Sequence, residues 1–153
     1  MDKLLYRKAT EEDIPFISRV YAENIAALHG IHKTYEKWKE HLSERDTIYY
    51  IVYDTAPVAW FRLDLEEDGL WLGMLQVSPQ HHRKGIGRQI LSFFEDMAKE
   101  NGFRRVGIHT TEDNLAARAL YTAAGYTLTE IGPCTTADGI DRVGYTFEKH
   151  ICL

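Results

Sequence analysis

The sequence lacks several features that fix a protein's class at once. Its two cysteines, Cys134 and Cys152, lie far apart with no histidine at metal-ligand spacing. This excludes a disulfide scaffold and a structural metal site, and two free thiols are expected. No apolar run approaches the roughly 18 residues of a membrane span, and Met1 to Tyr6 does not follow the basic-then-apolar order of a secretory signal. A cytoplasmic protein without a membrane partner is expected. Positive charge is not in excess either: the formal net charge is −5, the wrong sign for neutralising phosphates along a nucleic acid, so no such partner is expected. Repeats, linkers and low-complexity tracts are missing as well. The 153 residues therefore read as one domain, 1–153.

What is present is ordinary for a folded chain: 44% hydrophobic and 27% charged residues, which excludes disorder. Leu4, Tyr6, Arg7, Lys8 and Ala9 read as a first strand. Thr10 with Asp13 three residues on offers an N-cap, and Ile14, Ile17, Val20, Tyr21, Ile25 and Leu28 then recur at helical spacing up to Gly30. A second, more polar helix is expected over 34–44, with Tyr35, Trp38 and Leu42 on its apolar stripe. From Thr47 the pattern turns to β: strands at 48–53, 58–65 and 70–77, separated by a turn at Asp54-Thr55-Ala56-Pro57 and another at 66–69. Ile86, Ile90, Phe93, Phe94 and Met97 predict a helix over 86–100, closed by Asn101-Gly102. A strand at 105–110, a helix at 115–124 stopped by Gly125, a strand at 126–131, a loop at 132–139 and a strand at 143–147 complete the chain. The predicted order is β-α-α-β-β-β-α-β-α-β-β, an α/β (α+β) fold with a mixed sheet and helices on its faces.

The dense cluster of positive charge is Gln80-His81-His82-Arg83-Lys84-Gly85-Ile86-Gly87-Arg88, between a strand and a helix. A helix N-terminus carries unpaired N–H groups and about half a positive charge, so it binds phosphate wherever the backbone can be approached closely. Gly85 and Gly87 permit that approach. The dinucleotide fingerprint would need a small residue at Ile90, and the nucleotide-hydrolase loop would need its lysine after the last glycine, whereas Lys84 precedes Gly85. Spacing excludes both.

With Leu75-Gln76-Val77-Ser78-Pro79 ahead of it, His82-Arg83-Lys84-Gly85-Ile86-Gly87 resembles the diphosphate loop of the GNAT N-acetyltransferase superfamily, written [Q/R]-x-x-G-x-[G/A]. His82 departs from the pattern, where Gln or Arg is usual. Asn114-Leu115-Ala116-Ala117-Arg118-Ala119-Leu120-Tyr121, followed by Gly125-Tyr126, resembles that family's N-x-x-A-x-x-x-Y…G-[F/Y] stretch. The resemblance is strongest over 70–126 and weak before Ile48.

The resemblance implies that acetyl-CoA is the co-substrate, bound where strands 70–77 and 105–110 splay apart. Leu75, Val77, His82, Arg83, Lys84, Gly85, Ile86, Gly87, Arg88, Asn114 and Tyr121 are then the binding residues, with Gly73 suited to a bulge. Tyr121 is the expected acid for the departing thiolate and Asn114 a ligand of the pantetheine arm or a water; no metal is implied. Backbone N–H of Leu75 or Val77 is the expected oxyanion donor. For the base, Glu112, Asp113, Asp64, Glu23 and His109 all remain open, with Glu112 named first. Substrate selection is expected from 24–44, with His29, His32, Tyr35 and Trp38, and from 133–142, with Asp138 and Asp141. The implied activity is direct acetyl transfer to a primary amine on a small molecule, peptide or protein. The alternative is a noncatalytic acyl-CoA sensor or interaction module. Tyr49, Tyr50, Trp60 and Phe61 belong either to the core or to a homodimer surface.

Overall fold

The computed structural model describes residues 3–26, 33–135 and 141–152, without the side chains of Ile25 and Ala26. The expected helix end at Leu28 and Gly30, together with His29, His32 and Asp138, lies outside the described residues. The fold is mixed α/β, and the described residues form seven strands and four α-helices in the order β1 (Leu5–Lys8), α1 (Ile14–Ala26), α2 (Tyr35–Leu42), β2 (Thr47–Asp54), β3 (Ala56–Glu66), β4 (Gly69–Val77), α3 (Ile86–Glu100), β5 (Arg105–Thr111), α4 (Leu115–Ala123), β6 (Thr127–Thr135) and β7 (Asp141–His150). Its compact units are two: Met1–Asp64 with Met74–Ile86, and Leu65–Gly73 with Gly87–Leu153.

In the first unit β2 pairs antiparallel with both β1 and β3. Strand alternation gives β2 two faces. Tyr49 and Ile51 join Trp60 of β3 in a buried cluster with Ile14, Ile17, Val20 and Tyr21 of α1 and Trp38 of α2. Tyr50 stacks on Phe61, with centroids 5.2 Å apart. Tyr49, Trp60 and Phe61 are thus buried in the chain's own core. The turn after β2 is tighter than its sequence suggests. Thr55 alone reverses the chain, at φ 65°, and Ala56 and Pro57 already pair with Asp54 and Tyr53. Pro57 is tolerated because it stands near the start of its strand.

One carboxylate ties β1 to the turn that leads into α1. Asp13 accepts Arg7 Nη1 at 2.9 Å, Arg7 Nη2 at 2.7 Å and the Thr10 N–H at 2.7 Å, while Arg7 Nη2 also reaches Tyr53 Oη at 2.5 Å.

The second unit orders its strands β4-β5-β7-β6. β4 and β5 run parallel, with Leu70–Leu72 opposite Val106–Ile108, and β7 is antiparallel to both β5 and β6. Leu70, Leu72, Ile90, Leu91, Phe94, Ala98, Val106, Ile108, Tyr121, Tyr126 and Phe147 are buried. The loop expected at 132–139 is strand through Thr135, because Gly132, Pro133, Cys134 and Thr135 pair with Gly144, Val143, Arg142 and Asp141. The sequence contains turn formers there, yet β6 is the outer strand of its unit, where a proline's missing N–H leaves no ladder bond unmade. Cys134 and Cys152 are free thiols. Among the described residues no helix is long and apolar enough to cross a membrane.

The Asp13 carboxyl is held below its usual 3.8, chiefly by the Arg7 hydrogen bonds. Its contribution is present above pH 3.8 and is lost as pH falls through the lower folded value. Asp13→Asn should therefore lower stability at pH 7 by about 1 kcal/mol, the low end because Arg7 is partly exposed. Urea midpoints of the two proteins should converge under acid conditions.

Candidate functional site

The chain leaves β4 through a short braced turn. Ser78, the buried polar residue of the segment, donates its N–H to the Val58 carbonyl at 2.9 Å, and its hydroxyl bonds Gln80 Oε1. Pro79, Gln80 and His81 make one 3₁₀ turn, closed by His81 N–H on the Ser78 carbonyl at 2.8 Å. His82 then turns back. Its Nε2 meets the Val77 carbonyl at 2.8 Å, and since a carbonyl only accepts, the ring proton sits on Nε2. The same carbonyl accepts Asn24 Nδ2 at 2.9 Å, and Asn24 also reaches Gln76 Oε1 at 2.9 Å.

Beyond His82 the backbone takes two left-handed residues, Arg83 at φ 63° and Gly85 at φ 79°. Alternation of this kind turns successive N–H groups toward one side, a concavity suited to anions. At Gly85 a side chain would meet nothing within 4 Å, so the conformation rather than lack of room demands glycine. α3 begins at Ile86, whose buried side chain anchors the first turn. Its first N–H groups have no acceptor within the helix. Arg83, Lys84 and Arg88 are exposed, and none forms an ion pair among the described residues; Lys84 Nζ lies 3.5 Å from His81 Nδ1. The loop residues of the sequence motif therefore come together at one helix start.

The second motif forms in the second unit. Asn114 caps α4, its Oδ1 accepting Ala117 N–H at 3.2 Å, which leaves the amide Nδ2 as a donor. Tyr121 is buried, packed edge-on against Phe147 at 5.7 Å and tilted against Tyr126 at 6.4 Å. Its hydroxyl has no hydrogen-bond partner among the described residues. Burial pushes the phenol above its usual 10.0. It is held protonated, so it can donate a proton and cannot serve as a base near neutral pH. Tyr126, by contrast, gives its proton to Glu95 Oε2 at 2.9 Å, and Lys149 bridges Glu95 Oε1 and the Ala124 carbonyl, each at 3.0 Å.

Of the five base candidates, two are engaged elsewhere. Asp64 pairs with Arg62 at 3.0 Å, and Glu23 lies 3.6 Å from Arg19 along α1. Asp113 accepts the Thr111 hydroxyl at 2.6 Å and stands 4.0 Å from Arg142. Glu112 is held by its backbone, its N–H on the Val143 carbonyl and its carbonyl on Arg118, while its exposed carboxylate has no partner among the described residues. Glu112, Asp113, Asp141, Arg142 and Val143 line an open recess of about 290 Å³. His109 stacks on Trp71 at 4.7 Å with Nδ1 3.1 Å from Thr146 Oγ1, and Gly107 is what lets that indole lie across β5, since a Cβ there would come within 2.2 Å of it.

One reading of the sequence needs amendment. Trp38, expected to face a substrate, is completely buried in the core. His82, expected among the binding residues, points its Nε2 at the Val77 carbonyl and braces the loop. Asn24 was missed as the partner of Val77; 53 residues separate them, and no local pattern announces such a pair. Among the described residues no group of three or more metal-ligating side chains occurs.

Tyr121 carries a stability signature. Above pH 10 an unfolded tyrosine loses its proton while the folded one keeps it, so stability falls as pH rises. Tyr121→Phe should flatten that decline without removing it, because Tyr6, pushed up to about 12, and Tyr126 shift the same way. Denaturation midpoints from about pH 9 to pH 11 measure it.

The profile described as "Acetyltransferase (GNAT) family" matches residues 14–126. "Probable N-acetyltransferase 14" of Xenopus tropicalis is 40% identical over 75 residues, 49% of this chain and 32% of that protein. The chain spans less than half the length of the curated relatives it matches, at 32%, 46% and 30% of each. The ribosomal-protein-S18-alanine N-acetyltransferase of Escherichia coli has the same fold at 18% identity, with TM-score 0.79 over 99% of this chain and 96% of that one. The PaiA N-acetyltransferase of Thermoplasma acidophilum, crystallised with coenzyme A, is 17% identical, with TM-score 0.69 over 97% and 99% of the two chains.

Proposed function

Because the chain belongs to the GNAT acetyltransferase family, we propose that it is an acetyl-CoA-dependent N-acetyltransferase that acylates a primary amine directly, in a ternary complex. The observation that carries this reading is the loop before α3. It joins two left-handed residues, the open face over Gly85 and three exposed cations, without ion pairs among the described residues, at the N-terminus of a 15-residue helix. A diphosphate is the ligand such a concavity suits, and Arg83, Lys84, Gly85, Ile86, Gly87 and Arg88 would hold it, chiefly through backbone N–H groups. His82 would act from behind, by fixing the loop on Val77. The backbone of Leu75 and Val77 would meet the pantetheine arm. An oxyanion needs donors, a role the backbone N–H of Leu75 or Val77 would fill.

In the second unit Asn114 would offer its Nδ2 to the cofactor, and Tyr121 would protonate the sulfur as the C–S bond breaks. A phenol kept above pKa 10 gives up its proton late, when charge on sulfur is nearly complete. Glu112 would accept the amine proton through water, and the carboxylates of Glu112, Asp113 and Asp141 would suit a cationic acceptor. A cytoplasmic setting fits the co-substrate.

Two measurements test this. Gly85→Ala should weaken coenzyme A binding about fivefold to tenfold by calorimetry, because alanine disfavours the left-handed loop. Tyr121→Phe should lower kcat by about a hundredfold in an amine panel read by thiol release, with coenzyme A affinity within about twofold. Tight binding of acetyl-CoA with no turnover of any amine would instead favour a noncatalytic sensor.

A further inference from the structure

Lys33, a residue of the first unit that the proposed chemistry leaves aside, sits in an unusual setting. Its Nζ is 4.9 Å from the ring centroids of both Tyr21 and Trp38, two rings that are themselves buried. Nζ is also 3.4 Å from His41 Nε2. The other ring nitrogen, His41 Nδ1, lies 2.6 Å from Glu44 Oε1. A carboxylate only accepts, so the proton belongs on Nδ1, and the lone pair of Nε2 faces the amine. Carboxylate, imidazole and amine thus stand in line, with the base oriented by a third group as activated nucleophiles require.

We propose that Lys33 is an acylation site of the protein itself, an amine that His41, oriented by Glu44, prepares for attack on an acyl thioester. Starting from the ammonium, one proton passes by way of His41 to water. The neutral Nζ attacks the thioester carbonyl carbon and the C–N bond forms. On collapse the C–S bond breaks, and the second nitrogen proton returns through His41 to the departing sulfur, giving an amide, a thiol and one released proton. The surroundings act in the same direction. Burial, then the charges of Arg62 and Lys37, lower the Lys33 pKa against the opposing effect of Glu44. The product is neutral, so acylation removes the cation that Tyr21 and Trp38 now face.

Lys37 and Lys39 serve as internal controls: both are about half exposed and sit on α2, salt-bridged to Glu40 and Glu11. The folded protein is incubated near neutral pH with the acetyl thioester of N-acetylcysteamine, and acetylation at each lysine is followed by peptide mass spectrometry. This donor has no nucleotide, so the result does not depend on the coenzyme A reading, and either can fail alone. Lys33 should be acetylated at least about tenfold faster than Lys37 or Lys39. His41→Gln, and separately Glu44→Gln should the first variant lose its circular dichroism signature, should bring Lys33 within about twofold of the controls. A Lys33 rate equal to the controls in the unaltered protein overturns the proposal, and so does an excess that survives both substitutions.

Discussion

The carbonyl of Val77 organises the first unit. It receives the Asn24 amide from α1 and the His82 ring from the loop, at 2.9 and 2.8 Å. One acceptor thereby ties the last residue of β4 to a helix more than fifty residues earlier and to the turn five residues later. A strand that ended without these donors would leave a carbonyl unpaired, and the loop would lose the contact that sets where its left-handed residues begin. The geometry of Arg83 and Gly85 depends on this anchor as much as on their own backbone preferences.

Much of this architecture is legible in the sequence. The helical spacing of Ile86, Ile90 and Phe94 and the β-rich run after Thr47 match α3 and β2 almost to the residue. The loop and α4 motifs are readable because each is local, with a few residues whose roles come from helix ends and backbone freedom. The errors have one physical source, tertiary context. Gly132 and Pro133 look like loop formers until pairing with β7 places them on an outer strand. Trp38 stands on the apolar stripe of a polar helix, and its place in the core rather than at a substrate is decided only when Tyr21 and Trp60 close around it at 5.1 and 5.6 Å. His82 and Asn24 find their purpose only through a shared partner, and no spacing rule encodes a carbonyl.

The second unit shows the same dependence in aromatic packing. Trp71 lies across β5 because Gly107 offers no side chain, and the indole then forms a flat platform for His109. Elsewhere in this unit Phe147 backs Tyr121, whose hydroxyl finds no hydrogen-bond partner among the described residues, while that of Tyr126 is taken by Glu95. Two tyrosines five residues apart are thus set to different uses by whether a carboxylate is in reach.

β6 has a bearing on solubility. Its outward row of backbone groups could template pairing with a strand of another molecule. Pro133 interrupts that row, since it has no N–H to offer, and the register shift between Leu128 and Glu130 breaks its regularity a few residues earlier. With Leu128 and Ile131 exposed on the strand, these two interruptions keep a sticky edge from becoming a growing one.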